Sequence, residues 1–324
     1  MSRYVLKRLG WLILTTIVVA IIIFTIMYFV PGDPGRLILG NTATEEEILA
    51  YDEALGLNDP FLIQLGRYLK ETFLEFDLGT SYVFKVPVMQ EFAERLPRTL
   101  ILGLLCMVIS AAIGIPLGVV CALKRNSLVD HGAMILAMAG VSVPQFWLAL
   151  LMVILFSVNL GWLPPYGFGG IEYWIMPVIA GSVGGIAMNA RQTRSAVLET
   201  IRADFVTTAR AKGLSENKVI YKHMLPNAMI PIINLLGGTF AMAIGGTVVI
   251  ESVFQFPGIG TYMLTGINQR DYPVVRSCIL ILAIFSTVAM LLVDLVYAYL
   301  DPRIKAQYVN ASSKKLKKKE GESK

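Results

Sequence analysis

Charge is scarce in these 324 residues: Asp, Glu, Lys and Arg make up 16% of the chain, against 55% hydrophobic residues. The apolar residues fall in long blocks instead of an amphipathic stripe, which is a membrane profile. Cysteine and histidine are nearly missing. Cys106, Cys121 and Cys278 lie within or at the edge of apolar runs at no metal-ligand spacing, so no disulfide framework and no zinc site is implied. His131 and His223 both sit in polar turns, and neither has a Cys or a second His near it in sequence. There is no G-x-x-x-x-G-K-[ST] phosphate loop, no H-E-x-x-H, and no Ser/His/Asp or Cys/His arrangement that survives the topology read below. The chain is therefore expected to bind no cofactor and to carry no catalytic residue, and any energy source must come from a partner.

Six apolar runs are present: Leu9 to Val30, Thr99 to Leu123, Gly132 to Val158, Tyr173 to Ala190, Met229 to Phe254 and Pro273 to Leu300. The first follows Arg3, Lys7 and Arg8 like a signal peptide, but it is long enough to span a hydrocarbon core of roughly 30 Å, and no small-x-small cleavage site follows. Pro31-Gly32-Asp33-Pro34-Gly35 stops it. The many glycines and prolines of the later runs would be costly in soluble helices, whereas in a membrane small residues let helices approach closely.

Between the first two runs the chain is polar and acidic. Thr44-Glu45-Glu46-Glu47 forms a capping box for a helix that Gly56 can close. Asp59-Pro60 reads as N-cap and N1 of a second helix running to about Phe76, and a third is expected over Val88 to Leu96. The chain thus divides into a first transmembrane helix (1–30), an extracytoplasmic helical region (31–98), a transmembrane core (99–303) and a basic tail (304–324). Six spans put both ends on one side.

Charge says which side. Twenty of the 28 Lys and Arg residues fall in the two terminal segments, at Lys124-Arg125, or between Arg191 and Lys222. The positive-inside rule places those segments in the cytoplasm. The net charge of +5 needs no nucleic acid. Lys314 to Lys319 could touch anionic membrane lipid or merely fix topology.

The stretch around which the rest is organised is Ala203 to Pro226, ADFVTTARAKGLSENKVIYKHMLP, a polar and basic island between apolar runs. Asp204 can cap a first helix, Lys212 supplies a cation to its last turn, and Gly213 suits the C′ position. Ser215 suits the N-cap of a second helix, with Glu216 in its first turn and Pro226 limiting its length. Helix, glycine hinge, short helix is a docking shape.

Thr207-Thr208-Ala209, then Gly213, then Leu225-Pro226 resemble the cytoplasmic "EAA" loop of permease subunits of ATP-binding cassette (ABC) importers. The family's leading Glu is Thr207 here, so a salt bridge assigned to that Glu does not carry over. TARAKGLS resembles the dipeptide/oligopeptide/nickel branch. So do PGDP, the LGL of residues 55–57, the DLG of 77–79, RLPRTL over 95–100, and Glu251-Ser252-Val253-Phe254-Gln255-Phe256-Pro257-Gly258-Ile259-Gly260 followed by Arg270-Asp271-Tyr272-Pro273. The resemblance covers about Tyr4 to Arg303. It implies an all-α integral membrane protein of six helices, N-in and C-in, with the type I importer permease fold and a small helical extracytoplasmic insertion after the first helix.

By the same resemblance, residues Thr207, Thr208, Ala209, Gly213, Leu214, Ser215, Glu216, Asn217, Tyr221, Leu225 and Pro226 would dock an ATPase subunit. The implied partners are a second, homologous permease, two ABC ATPase subunits, which hold ATP and Mg, an extracytoplasmic binding protein, and a peptide substrate, in the inner membrane of a prokaryote. Two carboxylates fall in or near spans. Glu251 could belong to an outer gate or simply be hydrated at the interface, and Asp294 could face a pathway or pair with a basic group. A self-sufficient secondary transporter or channel is the competing class, which would be expected to show inverted repeats. An intramembrane enzyme is a third.

Overall fold

The computed structural model describes residues 2–32, 34–40 and 42–300, with side chains at all of these except 2–5, 7, 230, 234, 241–244, 246, 294 and 296–300. The described residues are helical and contain no strand beyond an isolated bridge between Thr80 and Pro87. In chain order the helices are α1 (Ser2–Phe29), α2 (Pro34–Leu39), α3 (Glu45–Ala54), α4 (Phe61–Lys70), α5 (Val88–Leu123), α6 (Leu128–Ser142), α7 (Gln145–Met152), α8 (Glu172–Thr200), α9 (Asp204–Ala211), α10 (Glu216–Lys218), α11 (Leu225–Val253), α12 (Ile259–Asn268) and α13 (Tyr272–Leu300). π-Helical turns extend α4 (Glu71–Glu75) and α7 (Val153–Asn159) and join α10 to α11 (Val219–Met224).

Among the described residues, α1 from Arg8, α5, α8 and α13 as far as Val293 are long and apolar enough to cross a membrane, and α6 with α7 makes a fifth if that bent pair counts as one span. The third apolar run is therefore not straight. It folds by 98° at Val143-Pro144, because proline has no N–H to give and pushes the residue before it out of the helical region, here to ψ 124° at Val143. The expected separate helix over Val88 to Leu96 is instead the start of α5, which runs 36 residues through Pro97 and Pro116. Each proline forfeits one backbone bond, yet the helix continues unbroken, packed most extensively on α8.

The α5–α8 crossing depends on small residues. A Cβ added at Gly118 would lie 2.4 Å from the Ala190 carbonyl oxygen, and one at Gly114 would lie 2.6 Å from that of Ile186. The backbones therefore touch, as small-residue helix pairs in membranes do. Hydroxyls bridge the same seam: Ser182 Oγ donates to the Cys106 carbonyl (3.2 Å) and Ser110 Oγ to the Ser182 carbonyl (3.0 Å). Cys106, Cys121 and Cys278 are all buried and unpaired.

In the polar region, Thr44 and Glu47 make the reciprocal capping box, and Gly56, at φ +65°, ends α3. Asp59 does not cap α4. Pro60 holds that position, and the Asp59 carboxylate is taken by Arg67 at 2.5 Å. The apolar face of α4 packs through Tyr68, Phe61, Leu65 and Leu69 on Ala20 and Phe24 of α1 and Leu280 of α13.

Candidate functional site

The segment expected to dock a partner is built as follows. Asp204 is the first residue of α9 and not its cap; Ala203 caps it, with no side-chain bond. Lys212 and Gly213 then end the helix, Gly213 at φ +75° with open space where a Cβ would stand. The sense of the turn is what calls for glycine there, since L-residues pay for a left-handed conformation. Ser215 is the N-cap of α10 by its extended backbone, although its hydroxyl makes no capping bond. Arg210 and Glu216 close the hinge with two contacts, Nε to Oε2 at 3.2 Å and Nη2 to Oε1 at 2.5 Å. That pair lowers the Glu216 carboxyl below its usual value and raises the Arg210 guanidinium.

Pro226 does not stop the second helix. The π-helical turn Val219–Met224 carries the chain directly into α11, where Pro226 sits in the first turn and its missing N–H matters least. One side of the hairpin is nailed down: Val206, Ala209, Val219 and Met224 are buried with Ala122 of α5, Val197 of α8 and Ala228 of α11, and Leu214 and Leu225 pack against them. The other side faces out, with Thr207, Thr208, Gly213, Ser215, Glu216, Asn217, Tyr221 and Pro226 exposed. Of the eleven candidates, Ala209, Leu214 and Leu225 are thus anchors and eight form a surface.

Beside this segment an ion pair crosses between helices distant in sequence. Asp130, in the first turn of α6 and 2% exposed, takes Arg194 of α8 through both oxygens at 2.6 and 2.8 Å, and also accepts from the Asn126 amide. Nothing local to either residue announces a partner 64 positions away.

At the opposite end of the helices, Glu251 is not hydrated at an interface. It is fully buried, and its carboxylate accepts from Thr99 Oγ1 (2.8 Å), the Gly260 amide (2.7 Å) and the Thr261 amide (3.2 Å). Thr99 Oγ1 in turn accepts from the Ile259 amide at 2.8 Å. One carboxylate therefore ties α5, α11 and the start of α12 together. The glycines of Pro257-Gly258-Ile259-Gly260 make room for it: a Cβ on Gly258 would fall 2.3 Å from Glu251 Oε2, and one on Gly260 2.6 Å from the Val248 Cα.

A second carboxylate does the same for the polar region. Asp271, fully buried just before α13, accepts from Ser81 Oγ (2.5 Å) and from the Tyr82 and Val83 amides (3.2 Å each). Ser277 Oγ adds a bond to the Leu78 carbonyl at 3.1 Å. The sequence motifs around 77–79 and 270–273 are thus the two halves of one contact. Asp294, the other candidate carboxylate, lies outside the residues whose side chains are described.

Between these ends is a cavity of about 530 Å³ walled by α5, α8, α11 and the α6–α7 break, with Ser110, Gln145, Arg191, Thr239 and Thr247 as its polar groups and glycines 140, 181, 184 and 185 opening its backbone. A bundle with a small-residue cavity, a broken span and a projecting helical hairpin is the shape of a membrane permease.

Comparison with known proteins identifies which. Residues 114–306 match the family described as binding-protein-dependent transport system inner membrane component, and residues 1–103 match that of the N-terminal membrane component of binding-protein-dependent transport systems. A putative peptide transport system permease of Brucella abortus (strain 2308) is 42% identical over 313 residues, spanning 94% of this chain and 99% of that protein. The dipeptide transport system permease DppB of Alkalihalophilus pseudofirmus is 38% identical over 333 residues (94% and 100%), and the glutathione transport system permease GsiC of Salmonella paratyphi A is 39% identical over 305 residues (94% and 99%). An inward-facing structure of the MetNI methionine ABC transporter shares the fold, with a TM-score of 0.55 at 19% identity, covering 66% of this chain and 97% of that one. The chain belongs to the binding-protein-dependent transport system inner membrane component family. It is the permease subunit of an ABC importer, a multi-pass membrane protein with an all-helical permease fold.

Proposed function

We propose that this permease moves peptides across the inner membrane of a prokaryote by alternating access, driven by two separate ATPase subunits docked on the exposed side of the Ala203–Pro226 hairpin. The observation that carries the reading is the two-sidedness of that hairpin: four buried apolar residues fix it to α5, α8 and α11, while Thr207, Thr208, Asn217 and Tyr221 stand in solvent. A push on the exposed side is transmitted to the spans through packed side chains, which resist compression. The π-helical turn leading into α11 adds a point where the chain can yield.

In this reading α11 supplies the sixth span, both termini and the hairpin face the cytoplasm, and the polar region with α12 faces out. ATP and Mg are held by the ATPase subunits. A second, homologous permease completes the pathway, and a binding protein delivers cargo from outside. The names of the relatives favour di- or oligopeptides as cargo. The mechanism is a population shift: ATPase closure favours one arrangement of the spans, and its reversal the other.

Cysteines introduced at Asn217 and Glu46, both exposed, test the orientation against a background of three buried native thiols. In intact cells an impermeant thiol reagent should label Glu46→Cys and spare Asn217→Cys; labelling at Asn217 would remove the docking role. Purified alone, the chain should hydrolyse no ATP and carry no solute, whereas co-expression with its ATPases should give a complex that does both. Unaided transport would sink the importer mechanism in favour of a secondary carrier.

A further inference from the structure

A second cavity, of about 350 Å³, opens where the polar region meets the ends of α1 and α13. Arg276 lines it and makes no ion pair or hydrogen bond among the described residues. Its guanidinium lies over the Tyr68 ring at 4.9 Å from the centroid, and its Nε is buried without a partner. Tyr68, 5% exposed, lines the same cavity and leaves its hydroxyl buried and unbonded. Lys85 is a second cation there and donates only to the Ile38 carbonyl at 2.8 Å. Arg67 is already paired with Asp59, and Glu71 is the one carboxylate among the described residues of the wall. A partly desolvated guanidinium without an ion-pair partner is costly, and its fork of donors matches phosphate or carboxylate oxygens.

The position selects the anion. Phe24 of α1 forms one wall, and Arg276 lies four residues into α13, so the cavity floor is about 6 Å below the helix ends at 1.5 Å per residue. The Tyr272 hydroxyl, donating to the Val30 carbonyl at 3.3 Å, holds the ends of α1 and α13 at one level. Over the cavity lies α4, whose inner face packs on α1 and α13, yet whose outer side and following turn expose Leu62, Leu74 and Phe76 at 75%, 73% and 76%. Exposed apolar side chains beside the basic Arg67 and Lys70 at the end of a bundle suit a membrane interface. The cavity thus lies where the apolar parts of α1 and α13 end, the level at which lipid head groups would stand.

We propose that this cavity binds the phosphate of a membrane phospholipid, with Arg276 as its principal ligand, the Tyr68 hydroxyl and Lys85 as further donors, and the acyl chains leaving past α4 toward the exposed Leu62 and Phe76. The bound lipid fills the charge gap and clamps the polar region to α1 and α13. The proposal rests on the orientation given above only for naming the outer leaflet.

Native mass spectrometry of the purified full chain, delipidated and then offered phosphatidylglycerol, tests it. The wild type should keep one lipid through detergent washing. Arg276→Gln should lower its occupancy about tenfold, the scale of about 1.4 kcal/mol lost. Arg276→Lys keeps the charge but loses the fork and the ring contact, and should fall between; together with Tyr68→Phe, expected to weaken retention by several-fold, it carries the test if Arg276→Gln does not fold. Equal retention in wild type, Arg276→Lys and Tyr68→Phe would overturn the site. Displacement of the lipid by excess inorganic phosphate or glycerol phosphate would overturn the lipid and leave a site for soluble anions. Thiol labelling at Glu46 reads the orientation separately, so a wrong leaflet and a missing site are distinguishable.

Discussion

The two ends of the helical bundle are held by different physics. The Glu251 and Asp271 carboxylates are buried and each accepts several hydrogen bonds, some from residues more than a hundred positions away. Around Gly213 the hairpin is closed by a single exposed ion pair and a left-handed glycine, over an apolar anchor. Buried, fully satisfied networks specify one geometry, because any departure leaves a donor or acceptor without water to turn to. An exposed hinge loses little when it moves. If the spans rock as proposed, the protein needs both: one end with a defined geometry, the other able to follow a partner.

The largest effect should come from the buried end. Glu251→Ala leaves the Thr99 hydroxyl and the Gly260 and Thr261 amides without their acceptor, at a cost of about 3 kcal/mol or more if each orphaned donor costs its usual penalty of about 1–3. The full chain in detergent should then unfold well below the wild type on heating, as followed by size-exclusion chromatography of heated samples. Glu251→Gln keeps one acceptor oxygen and should recover part of the loss. An unchanged melting profile for Glu251→Ala would mean that the contact does not hold that end of the bundle.

The sequence made one end more legible than the other. The capping box at Thr44 and the C′ glycine at Gly213 are local patterns, and the helix ends they imply sit within a residue or two of those seen, whereas the apolar block Tyr173 to Ala190 stops ten residues short of the end of α8, where the helix runs on into polar sequence. Glu251 is different. Its pattern marks a carboxylate near an apolar run, but burial comes from Thr99 and from a helix, α12, where an outer loop is the natural reading of Pro257-Gly258. The same holds for Asp130 with Arg194, for Asp271 with Ser81, and for the bend at Pro144, where a 98° fold hides inside one continuous apolar run. Hydropathy reports what is apolar. It does not report what two distant segments do with their polar groups.

At the hinge a smaller effect with a sharper signature is expected. Gly213→Val meets no neighbouring atom, so the cost is that of a β-branched residue at φ +75°, roughly 1–2 kcal/mol, and it falls on the hairpin alone. Melting and membrane levels should stay near wild type, while transport falls and cargo-stimulated ATP hydrolysis in the assembled complex is lost. Normal coupling in this variant would separate the hairpin from the ATPase contact and turn attention to the Lys124–His131 turn beside the Asp130–Arg194 pair.

The smallest effect belongs to Glu216→Ala, and its size measures how much of the hinge is electrostatic. In the sequence Glu216 looks like a first-turn acid that favours the helix dipole; in the fold it grips Arg210 across Gly213, both side chains largely in water. Exposed pairs of this kind contribute little and are screened by salt. The pair lowers the Glu216 carboxyl from its ordinary 4.5, so its contribution is fully present above that value and is lost only as the pH falls through the lowered one. Coupling should therefore be flat with pH across the neutral range in the wild type, and Glu216→Ala should reduce transport modestly, with the difference shrinking as salt is raised. The cycle with Arg210→Ala decides the matter: if the two single variants and the double variant lose the same amount, the ion pair sets the hinge angle, whereas simple addition would leave that angle to Gly213 and the apolar anchor beneath it.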